Sequence, residues 1–496
     1  MEIFKGDITM SNIKKNLIYN IAYQILIVIV PFITSPYLAR TLGSQKIGIY
    51  SYTYSIAFYF MIIAVLGVSN YGNRSIAKVR DNKEKLNLTF SSIYVVQMTM
   101  SILMIIAYVI YLSFIAGEFK IISIIQGMYI IANALDITWF FYGMENFKVI
   151  VLRNSVVKAL SLILILALVR TQNDLWVYTA IMAGSTLIGQ IISWPLLLKA
   201  IKIKKPKFND IIPHIKPICI LFIPVLAISV FSYMDKIMLG AMGGMKQTGF
   251  YENTEKIISI PKSIITALGA VMLPRTAHMI ANGEEEKSKE YIENTMLYVL
   301  LISSACAFGL SGIANTFAPI FWGTGFEECG KLIAYMTPAL VFSVFGNVIR
   351  TQYLIPRSMD TEYTVSLIIG AIVNFIVNLY LIPKLGAVGA VIGTIGAEFS
   401  LCAYQTYSVR KYLNIKEYIR NGIMFFPIGL IMFIILKILE QVLPISIITL
   451  IIQIVIGVIV YLALAFYYIL ISKTNVAVRV KKILIDNLKY KKRERK

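Results

Sequence analysis

Arg153 and Lys158 stand five positions apart in a run of residues that is otherwise almost wholly apolar, and Lys256 and Lys262 stand in another. A cation in such a run is costly, so its default reading is functional. Its chemistry is attraction of an anion. An arginine fork matches phosphate oxygens in pairs, and a lysine adds a point charge. A pyrophosphate carried on a lipid would suit that set. Lys158 has no acid beside it, so simple local neutralisation does not explain it. Lys236 closes a third apolar run, and Arg40, Arg74 and Arg275 lie at the ends of others. The plain alternative for Arg40 and Arg74 is a long side chain reaching out to the interface.

Acids share these runs. Asp136, Asp235, Glu252 and Glu255 would couple a transport step to protons or sodium ions, or would neutralise nearby cations, as Glu252 and Lys256 can at a four-residue spacing. Uncharged polar residues recur at helical spacing: Asn16, Asn20 and Gln24; Ser51, Tyr54 and Ser55; Asn154, Lys158 and Ser161; Ser366, Gly370, Asn374 and Asn378. Each set shares one helix face. Such faces either line a polar pathway, where sugar hydroxyls would find partners, or glue helices together.

The elements that must position these residues are membrane spans. The chain has 496 residues, of which 58% are hydrophobic and 15% charged; a soluble domain carries about 25% charged residues. Apolar runs near 16–38, 47–69, 88–113, 120–142, 150–170, 176–198, 217–240 and 248–273 are followed by others near 291–313, 331–349, 363–382, 386–409, 421–439 and 444–472. Each has about the 20 residues a span needs, giving about fourteen spans. With the N-terminus inside, 35 of the 47 Lys and Arg residues fall in or at the edge of cytoplasmic segments and 7 in outer loops. That alternation predicts both termini in the cytoplasm. The net charge of +21 is therefore a topology signal, and no basic soluble domain exists to bind nucleic acid. The first run has no small-residue cleavage site, so no removable signal peptide is expected, with Met1 or Met10 as the start.

Other chemistry is thinly supported. The four cysteines stand singly, His214 and His278 are unpaired, and no D-x-D occurs. No metal, cofactor or catalytic residue is expected.

The halves resemble each other. Tyr37–Gly43 with Ile47–Tyr50 corresponds to Tyr233–Gly240 with Thr248–Tyr251, and Leu66-Gly67 and Arg74 correspond to Leu268-Gly269 and Arg275, at an offset of about 201 residues. Parallel repeats of this kind place a pathway at their interface. The expected organisation is an N-lobe over 1–198, a cytoplasmic linker over 199–216, a C-lobe over 217–409, two further spans over 410–472 and a basic tail over 473–496. The tail is either a plain cytoplasmic extension or an amphipathic segment on anionic lipid.

The stretch ITSPYLARTLGSQKIGIYSYTYSIAFYFMIIAVLGVSNYGNRSIAKVRDN, Ile33–Asn82, resembles the first repeat of the polysaccharide repeat-unit flippases (Wzx) of the multidrug/oligosaccharidyl-lipid/polysaccharide exporter superfamily. FSYMDKIMLGAMGGMKQTGFYENTEKIISI, Phe231–Ile260, with VMLPR, Val271–Arg275, resembles the second. The resemblance covers most of the first twelve runs. It implies an all-α, V-shaped, two-lobed transporter with a cationic cavity and alternating access. The implied cargo is an undecaprenyl-pyrophosphate-linked oligosaccharide for capsule, O-antigen or exopolysaccharide. Implied too are a bacterial cytoplasmic membrane, a monomer, a proton or sodium counter-ion, and contact with membrane lipid and with polymerase and assembly proteins. Arg40, Arg74, Asp235, Lys236, Glu252, Lys256 and Arg275 are the residues the matching stretches carry over. Many relatives have twelve spans; about fourteen are found in the lipid II flippases. Two rival readings are a drug or cation extruder of the same superfamily, which would want an acidic lumen, and a membrane-embedded polymerase or glycosyltransferase, which would want a large outer loop or an acidic metal motif.

Overall fold

A computed structural model describes the backbone of residues 10–114 and 117–472, and side chains from residue 29 onward apart from 231, 268, 270 and 271. The side chains of Asn16, Asn20 and Gln24 and the basic tail lie outside the described residues. Among the described residues there is helix and turn but no strand, as the apolar runs require. In hydrocarbon a lone segment can satisfy its backbone groups only by coiling into a helix.

The helices are α1 (Met10–Val65), α2 (Val68–Val79), α3 (Lys83–Phe114), α4 (Lys120–Ala134), α5 (Thr138–Gly143), α6 (Phe147–Leu168), α7 (Leu175–Ala200) and α8 (Phe208–Met238). They continue as α9 (Met245–Ala281), α10 (Glu285–Trp322), α11 (Glu327–Ile349), α12 (Asp360–Leu385), α13 (Ala387–Val409), α14 (Ile415–Gly422), α15 (Phe425–Val442) and α16 (Ile447–Ile471). Among the described residues 13 helical runs are long and apolar enough to cross a membrane. The first contains a sharp break at Gly43 and so holds two of the expected spans, which accounts for the full expected set. The chain is a multi-pass membrane protein.

The break at Gly43 corrects one expectation. A short outer loop was expected between the first two spans; instead helix runs up to and away from a single residue with φ 76° and ψ 166°. A side chain with a Cβ is strained there. Gly244, at the offset of the duplication, has φ 89° and ψ 158° and separates α8 from α9 in the same way. The repeat thus extends to backbone conformation.

The chain divides into two compact units between Glu252 and Asn253. In the first, α1 lies against α3, α4, α6 and α8, and α4 against α7. One core joins Phe90 and Ile93 of α3, Trp139 and Phe140 of α5 and Ile218 of α8. In the second unit α12 pairs with α13, while α10 lies against α11, α15 and α16. Outward faces stay apolar: Ile102, Leu103, Ile106, Val109 and Ile110 of α3 and Ile447, Ile451, Val455 and Val458 of α16 are exposed. An exposed apolar surface on that scale suits lipid, not water.

The fourth run also departs from expectation. It is expected as one helix, but it breaks after Ala134 and restarts at Thr138. Side chains from other helices meet the freed carbonyls. Gln97 Nε2 donates to the carbonyls of Asn133 and Asp136 at 2.9 and 2.8 Å. Tyr94 donates to that of Ala134 at 3.2 Å, and Trp194 to that of Leu135 at 3.1 Å. Gln97, fully buried, also accepts from the Trp139 ring N–H at 3.0 Å. Asp136 caps the restart, accepting from the Thr138 backbone at 2.8 Å and from its hydroxyl. Gln97→Leu removes the side-chain donor from the Asp136 carbonyl and the acceptor from the Trp139 indole N–H, while Asn133 keeps the Asp136 backbone donor. The expected loss is about 2–3 kcal/mol, read as a lower thermal melting temperature in detergent.

Candidate functional site

The polar residues of the first unit gather where α1 passes α8 and the start of α9. Ser51, on the arm of α1 after Gly43, donates its hydroxyl to Glu252 Oε2 at 2.8 Å. The same carboxylate oxygen lies 2.8 Å from Lys236 Nζ, and these two side chains are only 10% and 16% exposed. Beside them, Tyr251 donates to Asp235 Oδ2 at 2.5 Å. Asp235 is buried. The ammonium of Lys236 also sits 5.2 Å from the centre of the Tyr233 ring.

Close backbone approach permits this arrangement. A Cβ on Gly48 would lie 1.7 Å from the carbonyl oxygen of Met245, and one on Gly249 would lie 1.9 Å from that of Ser44. Small residues let helices meet at this range. The pairs Ser44 and Met245, Gly48 and Gly249, and Ser51 and Glu252 are all separated by 201 positions, the offset of the duplication. Equivalent positions of the two repeats therefore face each other here, all within the first unit.

A second polar group lies between α6 and α7. Arg153 donates to Gln190 Oε1 at 3.0 Å, Ser193 Oγ at 2.6 Å and, through two nitrogens, Asn154 Oδ1 at 3.0 and 2.8 Å. A longer contact of 3.5 Å reaches Thr138, which holds Asp136. Lys158, one turn beyond Asn154 on α6, is half-buried.

In the second unit Lys262 Nζ lies 2.7 Å from Glu398 Oε1; the lysine is 40% exposed and the glutamate 5%. Asn374 and Asn378 are buried on α12, where Asn378 donates to Asn374 Oδ1 at 3.2 Å. Gln405 of α13 donates to Ser366 at 2.9 Å. The α12 stripe is thus enclosed within the unit. Arg275 lies over the Tyr291 ring at 4.5 Å, Glu255 and Lys256 are half-buried on α9, and Arg40 and Arg74 are exposed.

The structure therefore brings together Asp235, Lys236 and Glu252 in one group, with the Tyr54 ring 6.1 Å from that of Tyr233 beside them, and Asp136, Arg153 and Asn154 in another. It gives Lys262 a carboxylate that sequence reasoning passed over. Glu398 is a charge inside the 386–409 run, the same signal that selected Lys158. Gln97 and Gln190 carry no charge and no spacing pattern, so nothing marked them. Among the described residues no three His, Cys, Asp or Glu side chains come close enough together to hold a metal ion.

Residues 13–280 match the family described as "Polysaccharide biosynthesis protein". A protein of Shigella dysenteriae named as an O-antigen transporter is 22% identical over 390 residues, which is 77% of this chain and 96% of the relative. Among solved structures, the lipid II flippase MurJ in an inward closed conformation aligns with a TM-score of 0.71 at 18% identity, over 92% of this chain and 100% of that one. An inward-facing multidrug resistance MATE transporter of the MOP superfamily aligns with a TM-score of 0.56 at 15% identity, over 79% and 99%.

Proposed function

Since the chain belongs to the polysaccharide biosynthesis protein family, we propose that it is a flippase that carries an undecaprenyl-pyrophosphate-linked oligosaccharide from the inner to the outer leaflet of a bacterial cytoplasmic membrane. The observation that carries this reading is the set of cations built into spans on polar supports: Arg153, Lys236 and Lys262. A pyrophosphate competes for such cations where a neutral or cationic cargo would not. The match to an O-antigen transporter along nearly all of its length points the same way. The likeness to a MATE transporter is one of fold, and an acidic lumen suited to cationic drugs is not what these residues build.

Roles follow from placement. Arg153 is oriented by Gln190, Ser193 and Asn154, which fixes the guanidinium fork that a phosphate would meet. Lys158 lies one turn along the same helix as a second cation. Lys236 and Lys262 can exchange Glu252 and Glu398 for the cargo, and a freed carboxylate would bind a proton or a sodium ion. Arg40, Arg74, Lys256 and Arg275 would guide the anion at the ends of spans. Both termini lie in the cytoplasm, the protein works as a monomer beside polymerase and assembly proteins, and it carries out no covalent step. The membrane potential assists an anion leaving a negative interior by about 2.3 kcal/mol per charge per 100 mV.

The test is reconstitution into liposomes holding a fluorescent undecaprenyl-pyrophosphate oligosaccharide, followed by its exposure to an impermeant glycosidase. Wild-type protein is expected to expose the sugar, and Lys158→Ala to slow this about tenfold, the loss of one charge-assisted contact. No exposure across several glycans, with proton and sodium gradients imposed, overturns the reading.

A further inference from the structure

Next to the Lys236–Glu252 pair, and within the same unit, six aromatic rings form one continuous group. Tyr50, Tyr54 and Phe58 follow at four-residue spacing on α1 and so share a face. Tyr50 and Tyr54 lie parallel, with centroids 5.8 Å apart and planes at 9°. Tyr178 of α7 meets Tyr50 at 4.7 Å, and Tyr129 of α4 meets Tyr54 edge-on at 5.1 Å. Tyr233 of α8 stacks on Phe58 at 3.8 Å and approaches Tyr54 at 6.1 Å. From Tyr233 the group passes directly to the Lys236 ammonium.

Filling space does not explain this composition. A buried phenol needs a hydrogen-bond partner that a phenylalanine does not, yet five of the six rings are tyrosine. Tyr50 and Tyr129 bond each other at 3.0 Å, while Tyr50, Tyr54, Phe58 and Tyr233 all keep part of their surface open. A pyranose has a face of C–H groups and a rim of hydroxyls. Rigid amphipathic rings match both, at low cost in side-chain entropy. A cation at one end of the rings suits a sugar whose neighbour is a phosphate.

We propose that this tyrosine group is a saccharide subsite, which takes the C–H face of the sugar nearest the pyrophosphate while Lys236 takes the phosphate. The proposal rests on the flippase reading and names which part of the cargo this face selects. Tyr54 and Phe58 set the preference for a glycosylated lipid over a bare one, and Lys236 contributes equally to both.

Binding to the purified full chain, measured by native mass spectrometry, tests it with two probes: undecaprenyl pyrophosphate carrying N-acetylglucosamine, and undecaprenyl pyrophosphate with no sugar. Wild type is expected to prefer the glycolipid by about tenfold, a stacking contribution of ordinary size. Tyr54→Leu and Phe58→Leu are expected to bring that ratio close to one with the affinity for the bare lipid unchanged. Tyr54→Phe, which keeps the ring, should retain most of it. Absence of a preference in wild type, or equal weakening of both lipids in the leucine variants, overturns the subsite. Unchanged preference in those variants overturns it as well. Each of these leaves the flippase reading standing if wild type exposes its sugar to the glycosidase. Failure of that exposure is the separate result that removes the flippase.

Discussion

Lys236→Met is expected to lower the stability of the protein by about 3–5 kcal/mol, because it removes the ammonium 2.8 Å from a mostly buried carboxylate among packed helices. Glu252 would keep only the Ser51 hydroxyl of the two partners described at that oxygen. The double variant Lys236→Met/Glu252→Gln removes both charges and keeps an acceptor for Ser51. Its melting temperature should recover most of the loss, since replacing both members of a buried pair is often neutral. Translocation should not recover, because the cation offered to the pyrophosphate is gone. The thermal melt and the glycosidase assay therefore diverge in the double variant. A double variant that translocates at the wild-type rate would take Lys236 out of the pathway and leave the pair a purely structural role.

The second large effect concerns Gly48. Gly48→Ala places a methyl group 1.7 Å from the Met245 carbonyl oxygen. The obstacle is backbone, not the far end of a flexible side chain, so the two helices must move apart. Overpacking of a tight contact costs about 1–3 kcal/mol, and here the Ser51–Glu252 bond, close along the same crossing, is strained with it. Translocation is expected to fall at least tenfold, with a lower melting temperature. Gly249→Ala should behave alike, since its Cβ meets the Ser44 carbonyl at 1.9 Å. Gly184→Ala is the control: its Cβ would sit 3.6 Å from the Met128 methyl, an ordinary contact. Wild-type translocation in Gly48→Ala would mean that this close approach is not required for transport.

Much of the fold was legible because membrane spans announce themselves by length and apolarity. Loop chemistry was less so. Gly43 is one glycine among 30, and only the structure shows that it replaces a whole loop. The break at Ala134–Thr138 lies in a run long enough for one span, in which Asp136 stands out as an intramembrane charge and not as the cap of a new helix. What opens the helix there is a set of donors on α3 and α7, Gln97 and Tyr94 from one and Trp194 from the other, distant in sequence. For the site, spacing along one helix suggested Lys256 as the partner of Glu252. The structure adds Lys236 across the turn at Gly244, a pairing no helical periodicity contains. Intramembrane charge found Lys262 but not its partner Glu398, because a carboxylate on a different span has no local relation to the lysine it holds.

The contact around Gly48 and Gly249 has the form of a two-fold dimer interface, in which residue i of one copy meets j of the other and j meets i. A six-helix ancestor pairing with itself would have met identical residues at the axis: serine against serine, or glutamate against glutamate. Once both copies share one chain, each side can change alone. Ser51 facing Glu252 is a combination that no symmetric pair of identical subunits could present at equivalent positions, and Lys236 completes its charge from one side only. With both repeats in one chain, the axis has something symmetry forbids, a direction.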